Sequence, residues 1–118
     1  MSDQPSSTEQ VVRHHNLAMA QRNLDDVMSD YRDDAVLIDP RGILKGKPAI
    51  RAMFEQLLGS GVPLAPPTQQ LIEGDIAYLV WTASPDKPGR QGAETLVIRD
   101  GKITAQTVAA LGPPPPHP

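Results

Sequence analysis

The sequence predicts an α+β fold, in which helices come first and a mostly antiparallel sheet follows. Apolar residues recur at helical spacing in the first half, and they alternate in the second half between turn residues such as Asp100-Gly101. The 118 residues suit one domain with its own core. We expect a flexible N-terminus at 1–6, the domain at 7–111 and a proline-rich disordered tail at 112–118.

Composition excludes several function classes. The chain has no cysteine, which rules out disulfides and thiolate metal ligands. Its net charge of −3 and the absence of a basic run argue against nucleic acid as a partner. No apolar run reaches the roughly 20 residues of a spanning helix, and the N-terminus does not resemble a signal peptide. We therefore expect a cytoplasmic protein with no cofactor, no metal and no membrane partner.

Three helices are predicted from caps and apolar stripes. The first begins after the overlapping capping boxes in 6–10 and runs to about Arg22, with His15 in the middle of its apolar stripe. The second runs from Leu24, capped by Asn23, to about Tyr31. The third starts near Pro48 and ends at Gly59 as a C-terminal cap, and it has the clearest helical spacing: Ile50, Met53, Phe54, Leu57 and Leu58.

Six strands follow from short apolar or alternating runs between turn residues. Their predicted bounds are about Ala35–Asp39, Ile43–Lys45, Gln69–Glu73, Ile76–Ala83, Ala93–Arg99 and Lys102–Ala110. Alternation in the fifth strand puts Glu94, Leu96 and Ile98 on one face. Both faces of the sheet are apolar enough that one should meet the helices and the other a second copy of the chain. We therefore expect a homodimer formed through the outer sheet face.

Three ionisable side chains fall on apolar faces: His15, Asp39 and Glu94. Asp39 ends an apolar run, and the following Pro40 biases it toward extended geometry. Each also has a structural explanation. A histidine in a helix stripe is commonly a hydrogen-bonded core residue, and a strand-end aspartate commonly caps a turn or pairs with a neighbour such as Arg41. Glu94 lies near a strand start, where solvent can reach it.

The segment Tyr31-x-Asp33-Asp34-Ala35-Val36-x-x-Asp39-Pro40, with Gly46 before the third helix and a closing meander, resembles the NTF2-like superfamily. Within it the chain is similar to ketosteroid isomerases and SnoaL-like polyketide cyclases. The resemblance covers about residues 8–110. It implies a strongly curved sheet wrapped around a helix as a cone that encloses a pocket, and a homodimer.

The resemblance also implies roles for the three ionisable residues. Asp39 matches the general base of the isomerases. His15 matches the position at which the isomerases have an oxyanion-hole tyrosine, and Glu94 falls near the position of their protonated aspartate. His15 and Glu94 differ from the family's residue types, so the expected reaction is proton transfer on another small hydrophobic carbonyl compound, by isomerisation, cyclisation or dehydration. The abundance of aliphatic side chains predicts an apolar substrate pocket, with lining residues Met19, Phe54, Leu58, Trp81 and Leu96.

Two alternatives remain open at the level of the sequence. The first is a non-catalytic module that binds a small hydrophobic ligand or forms a dimeric assembly, because one fold hosts many functions. The second is a metal site formed by His15 and Asp39, which the sequence supports poorly because no HxH or HxxxH pair is present. The enzyme hypothesis requires Asp39 to face a pocket together with His15 or Glu94.

Overall fold

The computed structural model describes residues 6–61, 64, 66–82 and 91–111, without the side chains of residues 82, 110 and 111. The predicted proline-rich tail, residues 1–5 of the predicted flexible N-terminus and most of the predicted loop at 84–91 lie outside the described residues. The described part contains three helices and six strands: α1 Ser7–Ala20, α2 Leu24–Ser29, β1 Tyr31–Asp39, β2 Gly42–Lys45, α3 Lys47–Gly59, β3 Gln69–Glu73, β4 Ile76–Thr82, β5 Gln91–Arg99 and β6 Lys102–Leu111.

The first two helices begin at the predicted caps. The Ser6 hydroxyl accepts a hydrogen bond from the backbone N–H of Glu9 at 3.1 Å. The Asn23 side chain accepts one from the N–H of Asp26, also at 3.1 Å. Each bond satisfies an N–H that has no partner within its helix, which is why both helices start where local sequence alone indicates.

Two predicted element ends are wrong. The second helix ends at Ser29 rather than near Tyr31, and β1 begins at Tyr31 instead of Ala35. The cause is tertiary, because Tyr31 pairs with Ile103 of β6 and the carbonyl of Asp30 accepts a hydrogen bond from Ile103 at 2.7 Å. A register irregularity between Tyr31 and Val36 lets the early part of β1 join the same sheet.

The predicted glycine cap of the third helix is also corrected. Gly59 is the last helical residue, and Ser60 follows in right-handed helical geometry. Gly61, two residues later than predicted, adopts the left-handed conformation with φ 76°. A left-handed backbone of this kind carries little steric cost only in glycine.

The six strands form one curved, unclosed sheet in the order β2-β1-β6-β5-β4-β3. β1 runs parallel to β6, and the other neighbouring pairs are antiparallel. At the β5–β6 hairpin, Asp100 and Gly101 both have positive φ, 53° and 75°, as the predicted two-residue turn requires. The predicted α+β class with a mostly antiparallel sheet is confirmed.

The helices cover one face of the sheet, called here the inner face. Its buried strand residues include Ala35, Leu37, Ala77, Leu79, Leu96, Ile98 and Ile103. The opposite, outer face keeps five large apolar side chains 39–59% exposed: Ile38, Ile43, Leu71, Ile76 and Tyr78. The alternation predicted for β5 is confirmed, because Leu96 and Ile98 are both buried on the inner face.

Among the described residues, no helix is long and apolar enough to cross a membrane. The cytoplasmic location expected from the sequence stays a prediction.

Candidate functional site

A chain of three polar side chains lies on the inner face of the sheet. The Tyr31 hydroxyl donates a hydrogen bond to Oε1 of Gln106. The Nε2 amide of Gln106 in turn donates to Oε2 of Glu94 at 3.3 Å. Tyr31 and Gln106 are buried, and Glu94 keeps partial contact with solvent. The three residues therefore connect the interior of the domain to a point that solvent reaches.

Strand register brings these residues together from distant parts of the chain. Gln106 on β6 pairs with Leu37 of β1 on one side and with Leu96 of β5 on the other. Glu94 lies two residues before Leu96 and therefore projects to the same face. Tyr31 enters from the first residue of β1.

Burial raises the pKa of Glu94 from 4.5 to about 7, against the opposing effect of the hydrogen bond from Gln106. Desolvation disfavours the charged form of a carboxyl group, and here it outweighs a single amide donor. A carboxyl group with a pKa near 7 exchanges protons readily at neutral pH. Glu94 thus has the electrostatic property that an acid–base residue needs.

His15 is buried on α1 next to this chain. Its ring meets Tyr31 and Phe54 edge-on, with centroid separations of 5.9 and 6.3 Å. Desolvation, with a smaller contribution from His14, lowers the pKa of His15 from 6.5 to about 4, so the imidazole is neutral at pH 7. Its Nδ1 atom is buried without a hydrogen-bond partner.

A second polar pair, His14 and Asp30, lies near His15. The Nδ1 atom of His14 is 2.8 Å from each oxygen of Asp30. Burial raises the pKa of Asp30, although the hydrogen bond and charge of His14 and the charge of Lys102 oppose that rise. The nearer Asp30 oxygen is 3.9 Å from Nδ1 of His15, too far for a hydrogen bond. Asp30 is thus satisfied by His14 rather than by His15.

Asp39 occupies the turn between β1 and β2. One of its oxygens accepts a hydrogen bond from the backbone N–H of Arg41 at 2.8 Å, and the other lies 3.0 Å from the Arg41 guanidinium. Partial burial favours a higher pKa for Asp39, but the hydrogen bonds and charge of Arg41 outweigh it and leave the pKa below its ordinary value. In this arrangement the carboxylate caps a turn and is a weak proton acceptor.

The three predicted catalytic residues are not equally close to one another. His15 and Glu94 are linked through Tyr31 and Gln106. Continuing the β1–β6 register by one residue sets Asp39 beside Val108, whose other neighbour is Glu94. Two strand spacings therefore separate Asp39 from Glu94, which is roughly 10 Å. The structure brings His15 and Glu94 into one network and leaves Asp39 at the rim of the same face.

The five predicted pocket residues contribute to the helix–sheet interior. Phe54 and Leu96 are buried in the core, and Met19 and Leu58 pack against it with partial exposure. Trp81 is partly exposed and pairs with Gly92 across β4 and β5.

Two surface depressions are lined by other residues than these five. One, of about 310 Å³, is lined by Asp39 together with Tyr78, Thr95 and Thr107 of the outer face. The other, of about 480 Å³, lies beside Lys47 and Arg51.

Sequence reasoning missed Tyr31 and Gln106 as site residues. Tyr31 was assigned to a helix end, so its position in the sheet could not be foreseen. Gln106 carried a signal, because alternation puts it on the same face as Val108 and opposite Ala105 and Thr107. A polar residue in a core-facing position needs a partner.

In the described part of the chain, no group of three His, Asp or Glu side chains could hold a metal ion.

Comparison with known proteins identifies the family. The model of the SnoaL-like domain matches residues 11–106. Similar solved structures include an NTF2-like protein of unknown function from Cytophaga hutchinsonii, with a TM-score of 0.76 and 15% identity over 93% of this chain and 94% of that one. No curated protein matches the chain.

Two further similar structures are described by an activity. One, from Sinorhizobium meliloti, is described as a polyketide cyclase; its TM-score is 0.73, with 20% identity over 88% of this chain and 99% of that one. The other, from Kribbella flavida, is described as a ketosteroid isomerase; its TM-score is 0.73, with 15% identity over 95% and 83%. At these identities the likeness shows the fold alone.

The curved, unclosed sheet with helices on its inner face defines an NTF2-like protein. Within that superfamily, the chain belongs to the SnoaL-like domain family, as the resemblance in its sequence predicted.

Proposed function

We propose that this protein transfers a proton on a small hydrophobic carbonyl compound, in an isomerisation, cyclisation or dehydration, with Glu94 as the acid–base group. The observation that carries the proposal is the buried carboxyl group of Glu94 on the inner face, with a pKa raised to about 7. Similar folds described as a ketosteroid isomerase and a polyketide cyclase agree with this class of reaction.

Removing a proton next to a carbonyl requires a base matched to the pH and a dry environment. Glu94 is half ionised near pH 7, so it can both accept the proton and return it to another atom of the substrate. Its neighbours Leu79 and Leu96 are fully buried, which supports an apolar ligand beside the carboxyl group. A substrate would approach from the side on which Glu94 contacts solvent.

The oxygen that gains charge during proton removal needs a hydrogen-bond donor. His15 is the candidate, because it is neutral at pH 7 and its Nδ1 atom has no partner. A neutral imidazole carries one N–H and can donate it without bringing a positive charge into an apolar site. In this proposal the substrate oxygen accepts a hydrogen bond from His15, whose ring lies edge-on to Tyr31 and Phe54.

The general-base role predicted for Asp39 stays a prediction, and its contacts favour a turn-capping role instead. Its carboxylate is already bonded to the backbone and side chain of Arg41. A base with a depressed pKa removes protons from carbon poorly. Variants of Glu94 and Asp39 therefore separate the two assignments.

The test is hydrogen–deuterium exchange at the α-carbon of 2-tetralone, a small apolar ketone, followed by NMR in D₂O. We expect the wild-type exchange rate to rise with pH around an apparent pKa near 7, and E94Q to lose about 100-fold or more of it. D39N should retain the wild-type rate. Loss of exchange in D39N with full activity in E94Q would assign the base to Asp39, and exchange no faster than in buffer would reject catalysis on this ketone.

The alternative is a non-catalytic module that binds a small hydrophobic ligand or serves assembly. It predicts an apolar molecule that copurifies with the protein and leaves it chemically unchanged. Native mass spectrometry of the purified protein, followed by identification of the released molecule, tests this reading. Release of an isomer different from the molecule added would support the enzyme over the binding module.

We also propose a homodimer formed through the outer face of the sheet. The proposal rests on the five large apolar side chains exposed there, since monomers rarely leave such a surface in water. Light scattering at micromolar concentration should give twice the 12.7 kDa chain mass, and L71K should lower it. L17K makes the same change at an exposed position on α1 and serves as the control. A wild-type monomer would contradict the proposal.

A further inference from the structure

Gln106 joins two ionisable groups that the proposed reaction treats differently. Its amide oxygen accepts the Tyr31 proton, and its amide nitrogen donates to Glu94. We propose that Gln106 is a positioning residue that holds the Glu94 carboxylate in its ionised, proton-accepting form, and that Tyr31 fixes which end of the amide faces Glu94. This inference rests on the proposed function of Glu94 and deepens it.

The orientation of the amide follows from hydrogen-bond chemistry. An ionised carboxylate only accepts hydrogen bonds, so the NH₂ end of Gln106 must face Glu94. The carbonyl end then faces Tyr31, whose hydroxyl is obliged to donate. In this arrangement all three side chains are satisfied, which a buried network requires in order to be stable.

Protonation of Glu94 removes the reason for this orientation. A protonated carboxyl group can donate to an amide oxygen, and the amide would then gain by turning its NH₂ end toward the Tyr31 oxygen. The Tyr31 hydroxyl resists that turn, because its own proton must then find another acceptor among buried groups. The ionised state of Glu94 thus allows one arrangement of the amide and the protonated state allows two, and the arrangement present in the structure favours the ionised state.

The groups that face this network limit what else can titrate there. Tyr31 packs against the neutral ring of His15, and burial with the charges of Glu94 and Asp30 raises the pKa of Tyr31 well above its ordinary value. Neither Tyr31 nor His15 changes charge between pH 6 and 9, so a transition in that range reports Glu94. Asp30, which precedes Tyr31 in the chain, is bonded to His14.

The test is an NMR titration of protein labelled with ¹³C at the glutamate side-chain carboxyl carbon. The chain has four glutamates, and the resonance missing from E94Q assigns Glu94. In wild type we expect a midpoint near pH 7. In Q106L the midpoint should rise by about one pH unit or more, because a hydrogen bond to the charged form has been lost. Y31F should raise it by less, since the amide is still present but free to turn.

A second readout distinguishes positioning from simple packing. The side-chain NH₂ signals of Gln106 should titrate with the same midpoint as Glu94 and stop titrating in E94Q. Q69L makes the same glutamine-to-leucine change on the outer face at an exposed residue and should leave the Glu94 midpoint unchanged. If Q106L does not fold, Q106M keeps a similar volume without the amide and takes its place.

Failure of the inference is distinct from failure of the proposed function. If the Glu94 midpoint is near pH 7 in wild type and differs from it by less than about 0.3 pH unit in folded Q106L, the role of Gln106 alone is overturned. This threshold lies well below the expected change. A wild-type midpoint near the ordinary 4.5 would instead remove the basis of the proposed acid–base function.

Discussion

Replacing Glu94 by glutamine should stabilise the protein above neutral pH and have little effect in acid. In the folded chain the pKa of Glu94 is about 7, and its ordinary value is 4.5. Between those two pH values the folded state keeps a proton that the unfolded state has released. The contribution of Glu94 to wild-type stability therefore falls as pH rises from about 4.5 to 7.

The magnitude follows from the gap between the two pKa values. At about 1.4 kcal/mol per pH unit, a gap from 4.5 to about 7 corresponds to about 3 kcal/mol. E94Q has a similar shape and no ionisable group, so it does not suffer this loss. The free energy of unfolding of E94Q minus that of wild type should therefore be larger at pH 8 than at pH 4, by up to about 3 kcal/mol.

Urea unfolding of wild type and E94Q at pH 4, 6 and 8 measures how the stability difference between them changes with pH. Taking the difference between variant and wild type at each pH cancels the titration of other groups. E73Q removes the same charge from an exposed position of β3 and controls for the change in net charge. A difference between E94Q and wild type that does not change with pH would refute the burial argument for Glu94.

Three further predictions concern other positions. His15 should contribute a loss of about 3 kcal/mol of stability as pH falls from 6.5 to about 4, because the unfolded chain binds a proton that buried His15 does not; in urea unfolding, H15Q should lack this contribution, so its stability relative to wild type should rise as pH falls. G92A should lower stability by about 1–3 kcal/mol, seen as a lower Tm, since its Cβ would lie 2.7 Å from Cη2 of Trp81. D39N keeps an acceptor for the turn but loses the ion pair with exposed Arg41, so urea unfolding should show a loss below about 1 kcal/mol.

Two of these predictions have a matched comparison variant. An added Cβ at Gly59 meets no atom within 4 Å, so G59A should cost nothing where G92A is destabilising. D39A also loses the turn hydrogen bond and should cost about 1 kcal/mol more than D39N. A pH dependence in H15Q equal to that of wild type, or a loss of several kcal/mol in D39N, would contradict the respective assignment.

The pH-dependent contributions of Glu94 and His15 to the free energy of unfolding oppose each other in the same pH range. Falling pH favours the folded state through Glu94 and disfavours it through His15. Wild-type stability alone will therefore show little net change between about pH 4.5 and 6.5 from these two residues. Only the single variants reveal the two contributions.

Local chemistry explains which parts of the fold were predictable. The caps Ser6 and Asn23, the Asp100-Gly101 turn and the alternation of β5 depend on residues a few positions apart. Sequence alone also predicted that His15 and Glu94 lie on apolar faces, but it left open whether either side chain faces a pocket. The family resemblance then predicted the curved sheet that holds them, and the SnoaL-like match confirms that family.

Only the tertiary structure decided which polar groups meet. Pairing of β1 with β6 joins residues some 70 positions apart, and it converted Tyr31 from a predicted helix end into a strand residue beside Gln106. The structure also has Asp39 in a turn bonded to Arg41, one of the two roles that the sequence left open for this residue. Burial, which sets the pKa of Glu94, is a property of the packed domain and cannot be read from the residues around position 94.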